Sequence, residues 1–156
     1  MGMAMPALTE KHKKLAALAG TWVGEETIHP SPWDPKGGTG NGRMDSRIDL
    51  DGFFLVTDYV QERGGQICYR GHGVYGWDAG AGRYTMHWFD SIGSPCPQPA
   101  LGTWEGNVLR FEMADAMGHH RYVYTFEGEG RHTFKLEQSQ DGKTWATFME
   151  GRYRRK

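Results

Sequence analysis

The chain of 156 residues is poor in several of the ingredients that announce a function. It has two cysteines, Cys68 and Cys96, with no Cys-x-x-Cys spacing. That argues against a disulfide framework and against a thiolate zinc site. It has no surplus of charge, with 18 basic residues against 19 acidic ones. Neither a nucleic-acid surface nor an anionic-membrane surface is therefore expected. The early apolar run "LAALAG" is far too short to span a bilayer. No basic region followed by an apolar stretch opens the chain, as it would in a signal peptide, so the expected location is cytoplasmic. Leu, Ile and Val are scarce, and there is neither a repeat of fixed period nor a low-complexity linker.

What is abundant is glycine, at 23, and aromatic rings, as six Trp, seven Tyr and seven Phe. Rings and glycines with little aliphatic filling suit an all-β barrel of short strands. One segment reads as a helix, 9–19, with Thr9 as N-cap, Leu15 and Leu18 on one face and Gly20 as its stop. Residues 1–8 before it are expected to be flexible, and the whole chain to be one domain. After Gly20 only strand-like runs occur, at 20–29, 40–50, 53–62, 66–77, 82–90, 99–105, 107–114, 118–127, 131–139 and 144–153, separated by Gly-containing turns. Antiparallel strands in such number have an edge problem unless the sheet closes, and an up-and-down closure leaves an internal cavity.

Turns and charge pairs suggest registers. "FEGEGRHTF" closes best through Gly128–Gly130, pairing Phe126 with His132, Tyr124 with Phe134 and Tyr122 with Leu136. The other face then gains the opposite-charge pairs Glu127–Arg131 and Arg121–Glu137. "DLDGFF" pairs Leu50 with Phe53 and Ile48 with Leu55. "QDGKTW" reads as a two-residue hairpin at Asp141-Gly142, setting Gln138 opposite Trp145, Leu136 opposite Thr147 and Phe134 opposite Met149. Through "DAGAG", Trp77 would face Arg83, Arg70 would face Asp90 and His72 would face Trp88.

The opening "LAGTWVGEE", a short helix and then Gly20-x-Trp22, resembles that of calycins, the lipocalin and fatty-acid-binding superfamily. The resemblance implies a closed barrel end where Trp22 packs beneath a basic residue of the last strand: Arg152, Arg154 or Arg155. "GVYGWDAGAGRYTMHWFDSIG" and "DGKTWATFMEGRYRRK" resemble the bacterial domain-of-unknown-function family 1579 over roughly residues 15–156. The helix and Gly-x-Trp opening is also similar to that of nitrobindins, which bind haem through a His near the chain end. This chain has no His after His132, and its last strand offers Trp145, Thr147 and Met149 in that place. No cofactor is therefore expected, with haem kept as an alternative.

The long connections, Pro30–Gly40 and Ser91–Pro99, fall at the end opposite Trp22, so the mouth is expected there with Trp33 on its rim. The candidate ligand-binding residues are Arg70, His72, Trp88, Asp90, His120, Tyr122, Gln138 and Trp145. A local His87–Asp90–Ser91 triad is excluded, because strand residues three apart point to opposite faces. "GHGVYG" lies within a strand, and "GKT" lacks an upstream glycine and a following helix, so neither is a nucleotide loop. Arg70 with Asp90 reads equally as an internal ion pair or as an anchor for an anionic ligand. His120 is expected to bond Gln138 or Tyr122. A two-His, one-carboxylate metal site from His72, His120 and Asp90 is not demanded by the spacing. Three functions follow: a small-molecule binder for a partly apolar, aromatic or anionic ligand; an enzyme using His72 or His120 in acid–base chemistry, for which no catalytic motif is found; or a filled structural barrel. The partner expected is a small molecule rather than nucleic acid or membrane, and a homodimer is compatible with the sequence.

Overall fold

The alternating runs become ten strands: β1 (Gly20–Ile28), β2 (Gly38–Asp49), β3 (Phe54–Arg63), β4 (Gln66–Asp78), β5 (Arg83–Asp90), β6 (Ala100–Glu105), β7 (Val108–Asp115), β8 (Gly118–Phe126), β9 (Arg131–Ser139) and β10 (Ala146–Arg155). The computed structural model describes residues 2–156. Each strand pairs antiparallel with its neighbours in sequence, and β1 pairs with β10 to close the barrel. Closure leaves no free sheet edge, which answers the edge problem posed by so many short strands. The predicted helix is shorter than 9–19. It forms as α1 (Glu10–Lys14) and tightens at once into a 3₁₀ turn, Leu15–Leu18.

That helix plugs one end. Leu15 and Leu18 are buried under the barrel floor, and Trp22 is only 1% exposed. The Trp22 indole N–H donates to the Leu18 carbonyl at 2.9 Å. The Arg155 guanidinium lies 4.7 Å from the Trp22 ring centroid and donates to the Ala17 carbonyl at 3.0 Å. Of the three basic candidates, Arg155 therefore covers the ring, with a cation–π contact and a hydrogen bond in one clamp. Above this floor the interior is packed with Leu55, Tyr75, Tyr84, Leu109, Phe111 and Tyr124. Edge-to-face pairs such as Trp77–Tyr84 and Tyr75–Phe111 join them, the geometry aromatic quadrupoles favour.

The β8–β9 register is the expected one, with Tyr122 opposite Leu136, Tyr124 opposite Phe134 and Phe126 opposite His132. Arg121 Nε donates to Glu137 at 3.1 Å on the outer face. Ile48 also faces Leu55 as expected. Two registers differ. Asp141-Gly142 does not make a two-residue turn, because the Asp141 carboxylate accepts from the Lys143 and Thr144 amides at 2.8 and 2.9 Å and from Ser139 Oγ at 3.0 Å. Such side-chain capture of the backbone lengthens the loop. Gln138 then faces Ala146, and a bulge between Thr147 and Met149 brings Met149 opposite Leu136 and Gly151 opposite Phe134. The β4–β5 pairing is one residue away from the expected one: Asp78 faces Arg83, Gly73 faces Trp88 and Gly71 faces Asp90. A slip of one residue exchanges the faces of a strand, so Arg70 and His72 turn outward.

His132 is 1% exposed and neither ring nitrogen has a hydrogen-bond partner. It is enclosed by the rings of Trp22, Tyr124, Phe126 and Tyr153 at centroid distances of 4.4 to 6.1 Å. Burial first, and then the nearby Arg155 charge, lower its pKa from 6.5 to about 4. Above pH 6.5 the ring is neutral in both the folded and unfolded chain, so it does not affect stability. Between 6.5 and 4 the unfolded chain takes up a proton that the folded chain refuses, and stability falls as pH falls. The expected loss from this group is about 3 kcal/mol at pH 4. Urea denaturation from pH 7 to pH 4 should show that slope in the wild type, and His132→Phe should flatten it.

Candidate functional site

Strand alternation sorts the mouth half into walls and lumen. From β4 and β5, Tyr69, Trp88 and Asp90 face in; from β7 and β8, Met113, His120 and Tyr122; from β9 and β10, Leu136, Gln138 and Met149. Unlike the ring-packed floor, these inward side chains are only half-buried. They line the end of the lumen, the cup of the barrel, where the long loops 29–37 and 91–99 cross over. Trp33 stands on that rim, 57% exposed.

The cup rests on a polar belt. Glu26 is 1% exposed and points inward from β1. Its carboxylate accepts from the Tyr59 hydroxyl at 2.6 Å, from the Gln61 amide at 3.1 Å and from the Tyr153 hydroxyl. A buried carboxylate is tolerable only with such donors around it. Burial, then the Glu26 charge, hold the Tyr59 and Tyr153 phenols well above their usual range, so they remain donors. Gly42 makes the room on β2, where a Cβ would run into the Glu26 carboxylate.

The wall above the belt is organised by Trp88. Its ring lies against Gly73, where a Cβ would come within 2.9 Å, and over Gly71, where a Cβ would collide with it outright. The indole N–H donates to the Tyr69 hydroxyl at 2.8 Å, and that hydroxyl donates to Asp90 Oδ2 at 2.7 Å. Asp90 Oδ1 takes the Ile92 amide at 3.1 Å, tying the start of the rim loop to the same chain of bonds. Burial, then the hydrogen bond to Asp90, push the Tyr69 phenol up. On the facing wall, His120 Nε2 meets Asp115 at 3.0 Å and His120 Nδ1 meets the Gln138 amide at 3.5 Å. Burial works against the Asp115 charge, but the His120 bond and the Met117 amide outweigh it and hold its pKa low.

Five of the eight candidate residues therefore share the lumen: Trp88, Asp90, His120, Tyr122 and Gln138. Three do not. Arg70 lies on the outer face, its amide bonded to Ser91 Oγ at 3.0 Å, and forms no pair with Asp90. His72 also faces out and meets Asp58 at 2.8 Å. Trp145 falls in the lengthened loop and lies over Arg121, 3.9 Å from the guanidinium, outside the barrel. The reading of the sequence missed Tyr69, which a bulge at Cys68 swings inward, as Gln61 faces Tyr69 while Glu62 faces Ile67. It also missed Glu26, Tyr59, Gln61 and Tyr153. The glycines opposite Trp88 and the Asp78–Arg83 charge pair were the signals that point to the observed register.

His132, the inward histidine with free nitrogens, is walled in by rings on the filled floor, and both nitrogens of His120 are engaged. Among the described residues, no three His, Cys, Asp or Glu side chains gather closely enough to hold a metal ion. A shallow groove of about 1020 Å³ on the outer wall, crossed by Arg43, Arg152, Arg154, Glu25 and Glu62, brings mixed charges together without a convergent set of donors.

The flat seat of Trp88 can be tested by filling it. Gly71→Ala puts a methyl group where the ring lies and should cost about 1–3 kcal/mol, the range for overpacking. Gly130→Ala, at a turn with open space around the α-carbon, should stay within about 0.5 kcal/mol. Urea midpoints of the two variants check this.

Comparison with known proteins agrees with the architecture. The crystal structure of Rv2717c from M. tuberculosis superposes with a TM-score of 0.68 at 13% identity, covering 96% of this chain and 99% of that one. The S-type phycobiliprotein lyase CPES from Guillardia theta superposes with a TM-score of 0.63 at 11% identity, covering 97% and 98%. At these identities the likeness is one of fold. No curated protein matches the sequence. Among the described residues, no helix is long and apolar enough to cross a membrane. The sequence model of the DUF1579 family, described as a protein of unknown function, matches residues 7–155, and the chain belongs to that family.

Proposed function

We propose that the barrel binds a small, partly apolar molecule in the cup at its open end. The observation that carries this reading is the contrast within one interior. The floor around Trp22 and His132 is filled with rings, whereas Trp88, Tyr122, Leu136 and Met149 face the lumen half-buried. Apolar walls with a few oriented polar groups are the usual build of a ligand pocket. Here those groups are Tyr69, Asp90, His120 and Gln138, each already fixed by a hydrogen bond. One structural neighbour is a phycobiliprotein lyase, which is compatible with small-molecule chemistry in a barrel of this shape. A cytoplasmic location is part of the proposal and is supported by the free thiols of Cys68 and Cys96.

The acid–base alternative has less support. His72 is outside the barrel and His120 has no nitrogen left to accept a substrate proton. An anionic ligand also loses the residue that suggested it, since Arg70 is outside.

Leu136→Trp fills the cup and separates binding from a filled barrel. Native mass spectrometry of freshly purified wild type should show a small-molecule adduct that denaturation releases, and the variant should lose it while keeping wild-type stability. In a barrel already filled, no adduct would appear and the extra ring would cost about 1–3 kcal/mol. That outcome would end the ligand-binding reading.

A further inference from the structure

The cup has an electrostatic sign. Trp88 lies flat on Gly71 and Gly73, so the side it turns to the lumen is a π face, the negative pole of the ring quadrupole. The ring cannot swing freely, because its N–H is tied to Tyr69 and Tyr69 is tied to Asp90. Asp90 follows two residues later on the same face of β5, about 7 Å along the strand. A fixed indole face beside a half-buried carboxylate is the arrangement that recognises an organic cation.

The other charges agree. Among the described residues, the carboxylates at inward strand positions of the mouth half are Asp90 and Asp115, with Glu26 below them. The guanidinium on the same side, Arg63, is already taken by Asp34 at 2.6 Å and by the Gly37 carbonyl at 3.0 Å. His120 is shared between Asp115 and Gln138. Burial, and after it the charges of Asp115 and Asp90, push the Tyr122 phenol up to about 12.

The geometry points to an organic cation as the ligand: a protonated amine or quaternary ammonium on an apolar or aromatic body, seated between the Trp88 face and the Asp90 carboxylate. This rests on the ligand-binding reading above and gives its ligand a charge.

Calorimetric titration of the full chain with benzyltrimethylammonium and with phenylpropionate tests it. The cation should bind saturably, and the carboxylate at least about tenfold more weakly. Asp90→Asn, with its melting temperature checked, should cost the cation roughly tenfold, and Trp88→Leu a similar factor. Equal or tighter binding of phenylpropionate, or an Asp90→Asn variant that keeps full affinity for the cation, would overturn the inference and leave the ligand-binding reading standing. Binding of neither probe would also overturn it, whereas the binding reading itself falls only if the native-mass adduct is absent as well.

Discussion

Ring against glycine is the contact on which this barrel depends. A small barrel that spends its bulk on Trp, Tyr and Phe can place a ring across the lumen only where the opposing wall carries no side chain. β4 and β5 obey this at Trp88, which lies over Gly71 and Gly73. β6 and β7 obey it at Phe111, whose ring passes where a Cβ on Gly102 would come within 2.6 Å. β10 obeys it at Gly151, where the Tyr153 ring folds back over the α-carbon. Close packing makes such pairs mandatory, because an interior tolerates neither an extra methyl nor a void at little cost. The distribution of glycines thus decides which rings lie flat against the wall and which reach into the centre, and with that which half of the barrel is filled.

The Glu26 belt marks the boundary between the halves. Below it, rings meet rings and the one buried histidine goes without a partner. Above it, each polar group is oriented by another: Trp88 by Tyr69, Tyr69 by Asp90, His120 by Asp115 and Gln138. A buried carboxylate held by three donors resists displacement, since taking away one donor leaves charge uncompensated in a low dielectric. It therefore gives the cup a rigid base, and walls ordered in advance would lower the ordering entropy of the proposed binding.

Much of the fold was legible in the sequence, because alternation and turn glycines are local signals. The β8–β9 register was also legible, since Arg121–Glu137 and Glu127–Arg131 both favour it and the observed pairing keeps it. The β4–β5 register was not. An internal Arg70–Asp90 pair favoured a different register, but the attraction of such a pair is offset by desolvation, and the steric demand of Trp88 contributes more. Asp78 opposite Arg83 supplies a charge pair in the observed register as well. Trp145 was misplaced for a different reason. Asp141 can make a tight turn with Gly142 or capture amides further on, and the pattern alone does not choose between them. Tyr69 was hidden by a single bulged residue, Cys68, which no alternation pattern announces. The site was thus half legible: the strands that carry it were visible, while its membership turned on two registers and a bulge.

The central claim is that one interior is dry and filled at the Trp22 end and open at the Trp88 end. A high-resolution crystal structure of the protein as purified tests this most directly. Ordered water or ligand density between Trp88 and Tyr122, with none around His132, is the expected result. Side chains closed across the mouth with no solvent beside Asp90, or water reaching His132, would contradict it.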